Sequence, residues 1–168
     1  MLACITRKAA GVVAIALAAC DPCAPDEYEP NEAEGEAAVV GDITTDLSEI
    51  DVNFSTQEDV DCFAYALPEP ILEQIPILYI EMKGANREDF SGSLTFACDA
   101  GEPAFFSCNN EDLTDTTCTV SGVEPRFRVS YDCDPDTDAI GAASLVVCLE
   151  RPTPNKLCVD YSVRAYFN

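Results

Sequence analysis

The stretch LCVDYSVRAYF, residues 157–167, decides the fold class because its side chains alternate in character along its whole length. Apolar or aromatic residues take every second position from Leu157 to Phe167, and mostly polar residues take the positions from Cys158 to Tyr166. A period of two is typical of a β-strand with one buried and one solvated face, whereas a helix repeats every 3.6 residues. The stretch therefore predicts an antiparallel strand that covers a core.

The same alternation recurs along the chain. It is clear at 61–67, 77–83 and 126–132, and further strands are expected at 38–45, 50–55, 93–98, 104–108, 117–121 and 143–150. Clusters of Pro, Gly, Asn and Asp separate these segments, and no long helical periodicity occurs. Residues 37–168 are thus predicted to form an all-β domain, an antiparallel jelly-roll-like β-sandwich of about eight strands stapled by disulfides.

Residues 1–19 differ from the rest of the chain. Arg7 and Lys8 precede an uninterrupted apolar run from Ala9 to Ala19. This run fits the apolar region of a secretory signal peptide, and it is shorter than the ~20 residues that span a bilayer. We therefore predict a signal peptide at 1–19.

The signal ends in Leu17-Ala18-Ala19-Cys20, which resembles the lipobox of bacterial lipoproteins. The resemblance implies cleavage before Cys20 and acylation of its thiol, with chains such as palmitate that hold the protein at a membrane. We expect residence in the bacterial cell envelope, at the outer membrane or cell surface rather than the inner membrane. The alternatives are ordinary cleavage that leaves Cys20 as a thiol, or a redox or metal role for the C-x-x-C pair Cys20 and Cys23.

Residues 20–36 join this anchor to the domain. The segment DPCAPDEYEPNEAEGE (21–36) is rich in Pro, Glu and Asp and poor in branched apolar residues. Such a composition buries too little apolar surface to fold alone, so its start is predicted to be a tether.

Eight cysteines remain once Cys4 is cleaved off and Cys20 is lipidated, an even number that suits a disulfide framework in an oxidising compartment. Two pairs are each ten residues apart across a predicted hairpin, whereas spacing does not pair the other four, and eight cysteines allow 105 arrangements. The predicted bridges are Cys148–Cys158, Cys108–Cys118, Cys23–Cys62 and Cys98–Cys133. A thiolate metal cluster is the alternative, but histidine is absent and lipidation removes the C-x-x-C pair.

The charge balance limits the partners. The chain has 31 Asp and Glu against 9 Lys and Arg. Phosphate binding needs basic residues, so nucleic acid is not an expected partner. The acidity suits either a solvated surface or the binding of cations.

Catalysis is the rival class of function. Without histidine the chain cannot form a Ser-His-Asp or Cys-His centre. A pair of carboxylates that hydrolyses glycosides is the one enzymatic alternative left open. We therefore predict that the protein is not an enzyme.

Three motifs resemble the bacterial pre-peptidase C-terminal domain: DEYEPNE (26–32), DVDCFAYAL (59–67) and the closing YSVRAYF (161–167). The resemblance implies a jelly-roll-like sandwich that serves as a non-catalytic accessory module, often attached to secreted proteases. The chain departs from the family pattern at Glu32, where Asp or Asn is usual, at Cys62, which replaces a common aromatic residue, and in its number of cysteines.

Collagen-binding relatives in that family hold calcium near these motifs, and Ca²⁺ prefers six to eight oxygen ligands. Carried over by position, the implied ligands are Glu29, Asn31, Glu32, Asp59 and Asp61. The alternative is that Glu29-Pro30-Asn31 is only a rigid turn that packs Tyr28 on the sandwich.

A second acidic cluster, DCDPDTD (132–138), spaces carboxylates like an EF-hand calcium loop. Thr137 stands where that loop needs Gly, and Ala143 stands where it needs Glu, so a solvated loop is the alternative. The candidate ligands here are Asp132, Asp134, Asp136 and Asp138.

The sequence leaves three functional hypotheses. The first is a lipid-anchored module that binds an envelope or extracellular protein or a glycan, with Ca²⁺ as a stabilising ion. The second is a structural or protective surface lipoprotein with no specific ligand, and the third is a carboxylate-based hydrolase. For a glycan, Tyr79 or Tyr166 would have to replace tryptophan, which the chain lacks.

Overall fold

The structure is a computed structural model, and it describes residues 26–43, 46–54, 59–68, 77–84, 89–109, 111–113, 115–133, 141–150 and 159–167. The predicted signal peptide, the predicted anchor Cys20 and the cysteines at 23 and 158 lie outside these residues, as do Asp134, Asp136 and Asp138.

The described residues form two packed β-sheets. A single 3₁₀ turn at Glu34–Glu36 precedes the strands. The strands are β1 Ala38–Asp42, β2 Ser48–Phe54, β3 Val60–Leu67, β4 Ile77–Gly84, β5 Asp89–Cys98, β6 Phe105–Cys108, β7 Glu111–Asp112, β8 Thr117–Val123, β9 Arg126–Asp132, β10 Ala143–Glu150 and β11 Val159–Phe167. All ten strand segments predicted from the sequence are present, and only the two-residue β7 was not expected. The described strands therefore number eleven, more than the eight or so predicted for the sandwich.

The strand order confirms the jelly-roll-like sandwich. One sheet runs β1-β3-β10-β5-β8, and the other runs β2-β11-β4-β9-β6-β7. Strands β3 to β10 alone give two four-stranded halves, β3-β10-β5-β8 and β4-β9-β6-β7, which is jelly-roll order. The strands β1, β2 and β11 widen these halves at their β3 and β4 edges.

The pairing differs from the prediction in one respect. All ladders between strands are antiparallel except that of β1, which pairs parallel to β3. The register of this ladder shifts between Val39 and Gly41, where Gly41 has a positive φ of 131°. A residue without Cβ adopts this backbone conformation at low cost, so the glycine lets the edge strand continue past the irregularity.

The core lies between the sheets and is built from the alternating positions of the strands. On β11 the inward side chains from Val159 to Ala165 are buried, while Asp160 is exposed. On β9 the buried residues Phe127 and Val129 alternate with arginines in the same way. The period-two interpretation of the sequence is therefore confirmed.

Three disulfides staple the described residues, and two of them are predicted bridges. Cys98–Cys133 and Cys108–Cys118 each join the five-stranded sheet to the strands of the six-stranded sheet. The latter pair was predicted as a hairpin staple, but β6 and β8 lie in different sheets, so it is an inter-sheet bridge instead.

The third bridge corrects the other two predicted pairings. Cys62 bonds Cys148, so neither Cys23–Cys62 nor Cys148–Cys158 forms. The physical reason is that the chain crosses from one sheet to the other between β10 and β11, so the two strands do not make the expected hairpin. Cys148 instead lies directly opposite Cys62 in the ladder of β10 with β3, with 4.0 Å between their Cα atoms.

Part of the segment predicted as a tether packs against the sandwich. Residues 26–36 contain Asn31, which is fully buried, and Tyr28, which packs against the core. Within the described ranges, no helix has the length and apolar composition needed to cross a bilayer.

Candidate metal centre

Three carboxylates from two separate motifs meet at one end of the sandwich. Glu29 comes from the N-terminal segment, Asp59 immediately precedes β3, and Asp61 lies within β3. One oxygen of each lies within 4.8 Å of the others. Oxygens that share one Ca²⁺ at its usual distance of about 2.3–2.6 Å can lie no more than about 5 Å apart. The spacing therefore fits a shared cation.

The cluster is largely removed from water. The exposed fractions are 7% for Asp59 and 0% for Asp61. Glu29 is half-buried, and its Oε1 is buried without a hydrogen-bond partner. An ionised oxygen in that position gains neither water nor a donor, which is costly unless a cation binds it.

A buried amide completes the group. One terminal atom of the Asn31 side chain lies 3.0 Å from Glu29 Oε2 and 3.3 Å from Asp61 Oδ1. With the amide nitrogen in that position, Asn31 donates a hydrogen bond to both carboxylates. With the amide oxygen there, the cluster presents a fourth oxygen ligand. Rotation of the Asn31 amide therefore suits the site to both states, with the nitrogen toward the carboxylates when no cation is bound and the oxygen toward them when one is.

The environment favours the neutral form of Asp61. Burial is the largest cause, and the charges of Asp59, Glu29 and Asp26 add to it, so the pKa of Asp61 rises to about 8. A hydrogen bond donated by the Tyr161 hydroxyl to Asp61 Oδ2 acts in the opposite direction. The pKa of Glu29 is also raised, first by burial and then by the charge of Asp59. A bound cation would reverse this balance by favouring the ionised carboxylates.

The segment that carries Glu29 and Asn31 is fastened on both sides of the site. Asp26 accepts hydrogen bonds from the backbone N–H groups of Tyr28 and Asn53, each at 2.9 Å, which links the segment to β2. The Asn31 carbonyl accepts from the Cys62 N–H at 2.8 Å, which links it to β3.

The packing predicted for Tyr28 is also present at this site. The Tyr28 ring meets the Phe63 ring edge-on, with 5.9 Å between their centroids. The peptide bond between Glu29 and Pro30 is cis. Packing of Tyr28 and convergence of carboxylates therefore occur together, so the turn interpretation does not exclude a cation.

The structure brings together some of the predicted metal ligands but not all of them. It brings together Glu29, Asn31, Asp59 and Asp61, whereas Glu32 is exposed and does not belong to the group of three carboxylates. Of the second acidic cluster, only Asp132 is described, and it is half-buried at the end of β9.

Two residues of the centre were not predicted from the sequence. Asp26 belongs to the DEYEPNE motif, but its contacts with β2 depend on the fold. Tyr161 was predicted to face inward on β11, and its hydroxyl reaches Asp61 across the sandwich. A hydroxyl group in an inward row that is otherwise nonpolar is the only sequence signal for such a role.

A second notable surface lies on the outer face of β11, β4 and β9, which we call the basic face. It carries all four basic residues that the structure describes, Lys83, Arg126, Arg128 and Arg164. Two registered rows form it. The first row alternates in charge, with Glu49, Arg164, Glu81 and Arg126 on neighbouring strands.

The second row is aromatic. Tyr166 and Tyr79 stack with 5.4 Å between their ring centroids, and the Arg126 guanidinium lies 5.4 Å from the centre of the Tyr79 ring. The nearly buried Glu81 holds the two rows together, since it pairs with Arg126 and accepts a 2.8 Å hydrogen bond from Tyr166. The rings therefore face each other and Arg126, and both hydroxyl groups form hydrogen bonds within this face, Tyr166 to Glu81 and Tyr79 with Arg128.

A shallow cavity of about 430 Å³ adjoins this face. Its lining includes the carboxylates of Asp51 and Asp160 together with Lys83. Both aspartates are solvent-exposed. A second cavity, of about 410 Å³, lies on the outer face of the five-stranded sheet and is lined mainly by Ser, Thr and Gly around Cys148.

Comparisons with known proteins leave the family open. No family model matches the chain, and no curated protein matches it. Among solved structures, a periplasmic lysozyme inhibitor of g-type lysozyme, PliG from Aeromonas hydrophila, is 9% identical, with a TM-score of 0.22. That match covers 67% of this chain and 97% of the inhibitor. The similarity is too low to carry an inference about function.

Proposed function

We propose that this protein is a non-catalytic module of the bacterial cell envelope, anchored by lipid at Cys20, that binds a protein or glycan partner. In this proposal Ca²⁺ is held by Glu29, Asn31, Asp59 and Asp61 and fixes the N-terminal segment on the sandwich. The observation that carries the cation site is the convergence of three carboxylates, two of them almost fully buried, within 4.8 Å.

Calcium suits this site better than other common ions. All of the converging side chains offer oxygen, and they come from a turn, a strand and the residue before that strand. Ca²⁺ accepts irregular oxygen sets, whereas Mg²⁺ demands octahedral geometry and usually keeps several waters. Zinc prefers nitrogen and sulfur ligands, and the chain has no histidine.

The cation would have a mechanical role. Glu29 and Asn31 belong to the segment that leads back to Cys20, whereas Asp59 and Asp61 belong to the sandwich. An ion shared by the two parts would fix the domain relative to its membrane anchor. This role needs no catalytic chemistry, and it agrees with the accessory module that the resemblance to pre-peptidase C-terminal domains implies.

The basic face is the surface that we assign to the partner. Arg126 and Lys83 keep exposed side-chain fractions of 55% and 42%, and the neighbouring Tyr79 and Tyr166 are half-buried. Tyr and Arg are enriched where interfaces gain most of their binding energy. Because the Tyr79 ring is covered by Tyr166 and Arg126, a protein partner suits this face better than a sugar stacked on that ring.

The alternatives make different predictions. A structural lipoprotein would need neither the cation nor a partner for the basic face. A carboxylate hydrolase would use the cavity that holds Asp51 and Asp160. Hydrolases of this kind usually bury one carboxylate so that it stays protonated, and both of these side chains are exposed.

Isothermal titration of the purified full chain tests the cation site. We expect saturable uptake of about one Ca²⁺ per chain, with much weaker uptake of Mg²⁺. The Glu29→Gln and Asp59→Asn variants should each lose at least tenfold in affinity, while the matched exposed variants Glu49→Gln and Asp51→Asn should not. Equal uptake by all four variants would place the ion elsewhere on the acidic surface.

A further inference from the structure

Within the residues that the structure describes, the two sheets end in four edge strands, β1 and β8 in one sheet and β2 and β7 in the other. Edge strands expose unpaired backbone groups, so folded proteins usually protect them with charges, bulges or short length. Strand β1 is irregular near Gly41 and ends at the exposed Asp42. Strand β2 carries the exposed Glu49 and Asp51, and β7 is only two residues long. Three of the four edges are therefore protected.

The fourth edge, β8, lacks these features. Its sequence TCTVSGV contains no charged residue and no proline over seven positions. Its ladder with β5 keeps one register from Thr117 to Val123, and the positive φ of Gly122, 132°, shifts no pair in it. In the part of the chain that the structure describes, β5 is its only hydrogen-bonded neighbour. Thr119 and Ser121 are exposed, and half of the Val123 surface is exposed.

We propose that β8 pairs antiparallel with β8 of a second copy of this chain, about a two-fold axis at Val120. In that register Thr119 lies opposite Ser121 of the second copy, and Thr117 lies opposite Val123. The two five-stranded sheets then join into one continuous sheet. A two-fold arrangement closes on itself and does not propagate into a filament.

The side chains of β8 favour β8 of a second copy of this chain as its pairing partner. Cross-strand pairs of Thr and Ser stabilise antiparallel ladders, and like charges directly opposite each other destabilise them. When β8 pairs with a second β8, Thr and Ser lie opposite each other and no charged side chains meet. The nearest described acids, Asp115 and Glu124, flank the strand and fall outside the paired residues. No carboxylate of β8 would therefore oppose another.

The rest of the surface determines how this dimer responds to salt. The chain has a formal net charge of −22, so two copies repel each other at long range. Salt screens that repulsion and leaves an uncharged β-ladder almost unaffected. Association through β8 should therefore strengthen as salt is raised, whereas an interface between the basic face and an acidic surface should weaken. The dimer goes beyond the proposed cation site and does not depend on it.

Sedimentation equilibrium of the full chain, in a density-matched detergent, tests the proposal. We expect a monomer–dimer equilibrium in which the dimer fraction grows with salt, and the same result with excess Ca²⁺ or with a chelator. A chain that stays monomeric from low to molar salt would overturn the proposal, as would a dimer that salt dissociates.

Two double variants of the same positions test the register. In Thr119→Lys with Ser121→Lys, lysines of the two copies would oppose each other, so dimer formation should fall at least tenfold. In Thr119→Lys with Ser121→Glu, each lysine would face a glutamate of the other copy, and dimer formation should be retained or strengthened. Both positions are exposed in the monomer, and near-ultraviolet circular dichroism verifies that the variants fold.

A third variant controls for the added charge. Ser144→Lys places a lysine on the exposed side of β10, a central strand of the same sheet, and should leave the dimer unchanged. If the two-lysine variant dimerises as well as this control, β8 is not the interface.

Discussion

Replacing Asp61 by Asn should have opposite effects on the protein with and without calcium. Asn keeps the shape of the side chain and can still accept the Tyr161 hydrogen bond, but it cannot ionise. Burial raises the pKa of Asp61 to about 8 from an ordinary value of 3.8. Between about pH 4 and 8, the folded chain without cation therefore keeps a proton that the unfolded chain has already released.

The sign of the effect follows from proton linkage. Because the folded state binds the extra proton, the wild-type free energy of unfolding falls as pH rises through this window. One pKa unit corresponds to about 1.4 kcal/mol, so the loss at pH 7 is about 4 kcal/mol relative to pH below 4. The Asp61→Asn variant avoids this loss because its amide does not titrate. In a chelator, the variant should be more stable than the wild type by a few kcal/mol at pH 8 and nearly equal to it at pH 4.

Calcium should reverse the order at neutral pH. Because a ligand stabilises the fold by RT ln(1 + [L]/Kd), calcium at 10,000 times its dissociation constant adds about 5.4 kcal/mol, which exceeds the loss of about 4 kcal/mol at pH 7. The variant should lose most of this gain with its carboxylate. Urea unfolding at two pH values, with calcium or with chelator, measures all of these quantities. If the variant is less stable than the wild type in chelator at pH 8, Asp61 is not destabilised by its neighbours, and the proposed electrostatics of the site are wrong.

Three further predictions concern the sandwich. Glu81→Gln should lower the pKa of Tyr166, which its hydrogen bond to Glu81 raises most, and a spectrophotometric titration that shows no decrease would contradict the packing of the basic face. Gly92→Ala should lower the free energy of unfolding in urea by about 1–3 kcal/mol, because the added Cβ would lie 3.1 Å from Leu149 and 3.4 Å from the Phe127 ring. The control Gly35→Ala should not show that loss, because its Cβ meets no atom within 4 Å. Removal of the disulfide between β3 and β10, whose cysteines are 86 residues apart, should lower the free energy of unfolding by about 5 kcal/mol. Removal of the disulfide between β6 and β8, whose cysteines are 10 residues apart, should lower it by about 3 kcal/mol, because the shorter loop restricts the unfolded chain less. Equal losses would contradict a loop-entropy origin.

The fold was largely predictable because local alternation determines it. The strand that contains Phe127 and Val129 shows which side chains face the core without any knowledge of its neighbours. Strand pairing is not local, and the error at Cys148 shows the consequence. A spacing of ten residues suggested a hairpin to Cys158, but only the crossing between sheets places Cys148 opposite Cys62.

The candidate centre was predictable only in part for the same reason. Glu29, Asn31, Asp59 and Asp61 were named on a resemblance of short motifs, and the fold brings them together. The contribution of Tyr161 depends on a strand 100 residues away along the chain, so sequence spacing carries no signal for it. The basic face could likewise not be predicted from the sequence, because its rows of side chains form only when β11, β4 and β9 become neighbours in the sheet.

The most direct test of the calcium site is the anomalous diffraction of a crystal grown with CaCl₂. We expect one strong peak among Glu29, Asp59 and Asp61, with oxygen ligands at about 2.3–2.6 Å and the Asn31 amide oxygen turned toward the ion. A well-ordered site without a peak, in which the Asn31 amide nitrogen donates to Glu29 and Asp61, would contradict the account and leave Glu29-Pro30-Asn31 as a turn that only packs Tyr28 on the sandwich.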